Sequence, residues 1–252
     1  MPPAGIIAAG GRDRVSARRT RIVGWTLALL AIALFAALGR WQLARMHQKQ
    51  AMLDEVAATL AERAPLPLSA AGDAARARGF DWAAGEGTFI DAPAVLLDNQ
   101  QHDGRPGVRV YRAFRPTGAP PLLVELGWLP LPPERTMPRI APIAGPQRIA
   151  GLLAPPPSAG LADAAPVDSG QGDLLAVRLD ATALPMALGV DALPPRLLKL
   201  DPALPMGYAR DLDILPNTLP PQKHLGYAVQ WFGLAVAVLA IAVFLTFRRP
   251  RR

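Results

Sequence analysis

His224 stands at the head of a run of 23 residues without a charge, Leu225 to Phe247. His224, Tyr227, Ala228 and Trp231 follow one another at i, i+3, i+4 and i+7, so a helix would set them in a single stripe. An imidazole above a phenol and an indole suits a flat apolar macrocycle bound through its iron, because histidine is a usual axial ligand of haem. Lys223 beside it could meet haem carboxylates at a membrane surface, where both would stay partly hydrated. Gln230 lies inside the apolar run and is costly in lipid unless it faces protein or a ligand. The same residue types also serve as plain anchors at membrane surfaces. The pattern alone is compatible with an iron ligand and with an anchor.

Rival chemistries find less support. The other histidines are His47 and His102, and no HxxxH or HExxH pattern occurs. There is no GxSxG, phosphate-binding or dinucleotide-binding glycine motif. Asp98, Asp103, Glu125 and Glu134 could form a carboxylate pair, but scattered acids in such a domain are more often solvated or salt-bridged. The chain has no cysteine, which removes covalent c-type haem attachment, thiolate copper sites and thioredoxin-like chemistry. It also means that an extramembrane domain must fold without disulfides. No catalytic constellation remains, and the chain reads as a non-enzyme.

Positioning His224 requires a membrane-spanning helix, and a second apolar run of 17 residues, Ile22 to Leu38, pairs with it. Trp25 and Trp41 sit near its ends, at the depth that amphipathic rings prefer. The expected layout is a basic tail at 1–21, transmembrane helix 22–38, an extramembrane domain at 39–224, transmembrane helix 225–247 and a basic tail at 248–252. The first run is expected to be a retained signal anchor, since its apolar core exceeds that of a cleaved signal peptide. Residues 12–21 carry a net +4 and the arginines after Phe247 another +4, whereas 39–224 carries a net −1. The basic excess is therefore a topology signal and not a nucleic-acid surface. It predicts cytoplasmic tails and a periplasmic domain.

After the first span, Trp41, Arg45 and Gln48 share a helical face, and the helix should continue until Pro65-Leu-Pro67 ends it. From Phe80 the texture changes to short strands, at Ala83–Ile90, Ala94–Asp98, Val108–Arg115, Leu122–Leu129, Arg148–Leu153, Leu174–Leu179 and Arg196–Lys199. Asp103-Gly104 and Thr117-Gly118 are turn signals between neighbours. Asp180 should cap a short helix closed by Gly189, and 155–166 reads as a loop. The fold class expected is two transmembrane helices flanking one antiparallel-sheet-rich α+β domain, barrel- or sandwich-like.

Three blocks occur in order along the chain. The first is Leu38-Gly39-Arg40-Trp41-Gln42-Leu43-Ala44-Arg45 with Lys49. The second runs from Val95-Leu96-Leu97-Asp98-Asn99 through Gly107-Val108 to Leu123-Val124-Glu125-Leu126-Gly127-Trp128-Leu129-Pro130. The third is His224-Leu225-Gly226-Tyr227-Ala228-Val229-Gln230-Trp231-Phe232. Together they resemble the surfeit-locus-one family of cytochrome c oxidase assembly proteins. The chain departs from the family where Glu125 and Leu126 replace a frequent asparagine and arginine, and where Pro221-Gln222-Lys223 precedes the histidine.

The resemblance implies a respiratory-chain chaperone of the bacterial inner membrane. It would bind haem a transiently and assist its insertion into the catalytic subunit of the oxidase, working beside the haem-a synthesis machinery. It carries the iron-ligand role onto His224. Tyr227 and Trp231 would be the walls, Lys223 a cation for the carboxylates, and Trp41 or Arg45 the completion of the pocket. His47 is a weaker candidate for a second ligand. The alternative is a non-catalytic two-span envelope scaffold whose periplasmic domain binds protein partners without haem. Scaffolds that regulate polysaccharide chain length need long loop helices, and sensors need a cytoplasmic output domain. The strand-rich texture and the short tails fit neither.

Overall fold

A computed structural model describes residues 9–157, 165–180, 182–215 and 218–248, with side chains from residue 18 onward. Residues 158–164 of the expected loop, and the basic residues at 12, 14 and 249–252, lie outside the described residues or side chains. The chain divides into two compact units. One takes the chain up to Ala51 and again from Leu219, and the other is Met52–Thr218.

The first unit is a pair of helices, α1 (Ala9–Glu62) as far as Ala51 and α3 (Pro221–Phe247). Both are long and apolar enough to cross a membrane by length and composition. At 27 residues, α3 is about 40 Å long. Proline at its first position suits the start of a helix, where an N–H would have no partner. α1 carries no proline; it stops where Arg63 turns left-handed at φ 46°, two residues before Pro65.

A line of covered positions on each helix follows a spacing of three and four: Trp25, Ala28, Ile32, Phe35, Gly39, Gln42, Met46 and Lys49 on α1, and Pro221, His224, Ala228, Trp231, Ala235, Val238 and Ala242 on α3, with Ala31, Ala36, Leu38, Leu43, Phe232 and Thr246 partly covered beside it. This is the seam of a two-helix coiled coil. Partners fall in number on α3 as they rise on α1. Trp25 Nε1 donates to Thr246 Oγ1 at 3.0 Å, Phe35 stacks on Trp231 at 5.6 Å, and Gln42 meets His224 at 2.7 Å. The helices are antiparallel.

The second unit is a nine-stranded sheet. Its strands are β1 (Leu66–Pro67), β2 (Asp81–Phe89), β3 (Val95–His102), β4 (Arg105–Pro116), β5 (Leu122–Pro130), β6 (Pro146–Ala154), β7 (Val167–Asp168), β8 (Leu174–Ala176) and β9 (Leu197–Leu200). They are ordered β1-β2-β6-β9-β5-β4-β3-β8-β7, and β2 also pairs with β4, so the pairings from β2 through β6, β9, β5 and β4 return to β2. The sheet is mixed, because β1–β2, β3–β8 and β5–β9 are parallel while the other pairs are antiparallel. The seven expected strands are present, and the two-residue strands β1 and β7 were not foreseen. Asp103-Gly104 forms the two-residue turn between β3 and β4, with both residues at positive φ as a type I′ turn requires. The short helix α2 (Ala183–Leu188) ends at left-handed Gly189, and the Asp180 carboxylate accepts from the Thr182 and Ala183 amides.

Both sheet faces are covered. One face packs Leu96, Val110, Phe114, Val124, Ile149 and Leu198, and the other packs Tyr111, Ala113, Leu123, Leu184 and Leu197. The last turns of α1 place Val56 against Phe80, Trp82 and Leu152. Between Val110 and Tyr111 the register with β5 shifts, so Leu126 is left as a bulge beside Gly127. Gly127 has φ 126°, and a Cβ there would lie 2.7 Å from the Ala209 carbonyl oxygen. The bulge keeps Glu125 beneath β4 and β9, opposite Tyr111 and Lys199.

Candidate functional site

The helix pair brings together residues that the sequence separates by 182 positions. His224 lies in the first turn of α3, on the seam and only 8% exposed. Its Nδ1 faces Gln42 Oε1 at 2.7 Å, and its Nε2 is buried with no hydrogen-bond partner among the described residues. Below it, Ala228 is buried and Trp231 is stacked on Phe35 with 29° between the rings. Gly39 lets the Phe232 ring come close, since a Cβ would meet it at 2.8 Å. Lys49, two turns beyond Gln42, bonds the Leu219 carbonyl oxygen through Nζ.

The remaining expected residues surround this seam without entering it. Tyr227 is 41% exposed and Trp41 is 55% exposed. Arg45 is exposed and donates to Gln48 Oε1 at 2.9 Å, and Lys223, His47 and Gln230 are also exposed. Sequence reasoning assigned no role to Gln42 or Phe35. The signal that would have found them was the three-four spacing shared by Phe35, Gly39, Gln42 and Met46 with the α3 stripe.

The donor set fits haem. No group of three or more metal-ligating His, Cys, Asp or Glu side chains occurs among the described residues. A bare ion would need several protein ligands, whereas a macrocycle brings four of its own and asks for an axial nitrogen. An unpartnered, buried Nε2 is that kind of donor. At the other end of the helix pair a cleft of about 590 Å³ opens among Arg21, Trp25, Ala28, Val238 and Leu245, and it carries no imidazole.

The acids of the second unit are engaged elsewhere. Glu125 accepts from Arg109 Nη1 at 2.5 Å, from Lys199 Nζ at 2.8 Å and from the Tyr111 hydroxyl at 3.2 Å. Burial pushes the Glu125 carboxyl up, but the Lys199 and Arg109 charges outweigh it and hold it below the usual range. The Tyr111 hydroxyl is pushed well up by burial and then by the neighbouring carboxylate. Asp98 is held by Arg135 at 2.6 Å, Asp103 is exposed, and Glu134 is exposed. His102 Nδ1 lies 3.1 Å from Asp211, and its ring packs at 5.2 Å from Trp128. Glu125 and Asp98 are thus ion-paired and Asp103 and Glu134 exposed, the outcome that the sequence favoured over a carboxylate pair.

The SURF1 family model matches residues 29–236, a stretch that includes Gln42, the sheet and His224. The chain belongs to the SURF1 family. That family is associated with cytochrome c oxidase assembly, and its match takes in both halves of the helix seam. No curated protein matches the chain significantly.

Proposed function

We propose that this SURF1 family member receives haem a at the outer membrane face through His224 Nε2 and assists its insertion into the catalytic subunit of cytochrome c oxidase. The observation that carries the reading is the buried Nε2 without a partner on a ring whose other nitrogen is already bonded. Haem a, when bound, supplies an iron with an axial position open to an imidazole nitrogen.

His224 is the single protein ligand, because His47 is exposed and off the seam. Single ligation suits a carrier that must give up its cargo. Trp231 and Tyr227 offer ring surfaces on the ligand's own helix, and Trp41 offers a third from α1. Lys223 and Arg45 supply cations for propionate groups. The helix pair spans the bacterial inner membrane with both termini in the cytoplasm, in accord with the basic tails. The unit of residues 52–218 then lies in the periplasm and docks on the oxidase subunit, with haem-a synthesis machinery delivering the cargo.

The test is co-expression with the haem-a pathway, followed by an absorption spectrum of the purified full chain. Wild type should carry haem a and His224→Ala should lose most of it. Equal haem in both removes the ligand assignment and favours a scaffold that binds protein partners alone.

A further inference from the structure

We propose that Gln42 is a positioning residue that fixes the tautomer and ring orientation of His224 and so holds Nε2 as a lone-pair donor. Its purpose rests on the haem reading above; its geometry rests on the seam alone.

An amide oxygen only accepts hydrogen bonds, so the ring nitrogen facing Gln42 Oε1 at 2.7 Å must carry the hydrogen. A neutral imidazole with Nδ1–H leaves its lone pair on Nε2. Turning the amide over would pair its NH2 with an Nδ1 lone pair, but it would move the ring hydrogen to Nε2. That atom is buried and has no acceptor among the described residues, so an N–H there would go unsatisfied. An imidazolium would place an N–H at the same atom and meet the same penalty. Among the possible forms, only neutral Nδ1–H gives every ring N–H an acceptor, and it leaves Nε2 as a buried lone pair without a partner among the described residues.

The position of Gln42 is as specific as its chemistry. It occupies the seam between Gly39 and Met46, where its side chain reaches across to the first turn of α3. Gly39 below it keeps the helices close, because the Phe232 ring fills the space a Cβ would take. A partner on the second nitrogen fixes ring orientation and raises ligand basicity, and loss of such a partner weakens metal affinity about 10–100-fold.

The experiment reads the tautomer directly in the haem-free full chain in detergent, with 15N-labelled histidine at about pH 8.5, where ordinary imidazoles are neutral. His224 is assigned by its absence in His224→Ala. Wild type should show the Nδ1–H pattern. Gln42→Met, similar in length and unable to accept, should lose that pattern, and Gln42→Glu should restore it. In haem-loaded samples Gln42→Met should bind about 10–100-fold more weakly. The iron–imidazole stretch seen by resonance Raman should fall in Gln42→Met and rise in Gln42→Glu, which a packing role alone would not produce.

An Nε2–H pattern in wild type overturns the proposal, as does an unchanged Nδ1–H pattern in Gln42→Met. If Gln42→Met does not fold, Gln42→Glu decides alone: a stretch no higher than wild type overturns it. Equal haem in wild type and His224→Ala would defeat the haem reading while leaving the tautomer result standing, so the two failures are distinct.

Discussion

Glu125 shows what one side chain can require of its neighbours. It is 2% exposed, and it is the acceptor for two cations that are themselves buried, Arg109 and Lys199. Removing it strips Lys199 of its carboxylate and leaves Arg109 with Asp211 at 3.8 Å, and breaking a buried pair in this way costs about 3–5 kcal/mol. Glu125→Gln should therefore lower thermal stability sharply, as read by calorimetry of the full chain in detergent. The pH dependence has a definite sign. The folded-state carboxyls of Glu125 and Asp81 lie below their ordinary ranges, Asp81 because the Arg76 and Arg196 bonds outweigh the effect of burial. Their stabilisation is present above the unfolded-state values and is lost as pH falls through the folded ones. Melting temperature should drop below about pH 4.5, and more shallowly in Glu125→Gln. Sequence made the alternation of Val108 and Val110 with Arg109 legible. It did not show that the second face is covered too, because alternation says which residues share a face and not what lies over it. A solvated or salt-bridged Glu125 was the favoured reading, but which cations hold it was hidden until its cross-strand partners were known.

At the scale of elements, the helix seam depends on Gly39. Any larger residue must push the Phe232 ring, whose atoms lie 2.8 Å from where a Cβ would stand. Overpacking of this kind typically costs about 1–3 kcal/mol. Gly39→Leu should both destabilise the helix pair and reduce haem loading, by separating Gln42 from His224. Phe232→Ala in the same chain should recover part of both losses, and a double-mutant cycle on melting temperature measures that coupling. Long and periodic elements were readable: α1 to its stop near Pro65, the seven main strands, the Asp103-Gly104 turn, and the stop of α2 at Gly189, whereas its N-cap is Thr182 and Asp180 only accepts from the first amides. Two-residue strands carry no periodicity, and a single extra residue such as Leu126 leaves no mark on composition, so β1, β7 and the bulge were hidden. The parallel pairings were hidden as well, since β5 and β9 lie far apart in sequence and meet only through the core.

For the molecule as a whole, the three apolar cores of the sheet unit draw on residues between Met52 and Ile214. Residues 52–218 should fold without the apolar helices, giving a cooperative melt and strand-type circular dichroism. The full chain tests the proposed topology. It contains no cysteine, so a single introduced thiol reports one place. Met186 on α2 is 86% exposed, and Met186→Cys should react with a membrane-impermeant maleimide in spheroplasts without lysis. Labelling that requires lysis would put this unit in the cytoplasm and reverse the orientation read from the tails.

The bond between Gln42 and His224 joins the two ends of a very long excursion of the chain. When ribosomes have made only the first helix, Gln42 has no imidazole to face. When the second helix arrives but cannot return beside the first, His224 has no amide to set its hydrogen. On the proposed tautomer, the donor nitrogen is thus set by completion of the hairpin, and a copy whose second helix fails to return lacks it. For a haem carrier, the role proposed above, this would make readiness to accept cargo contingent on its own finished assembly.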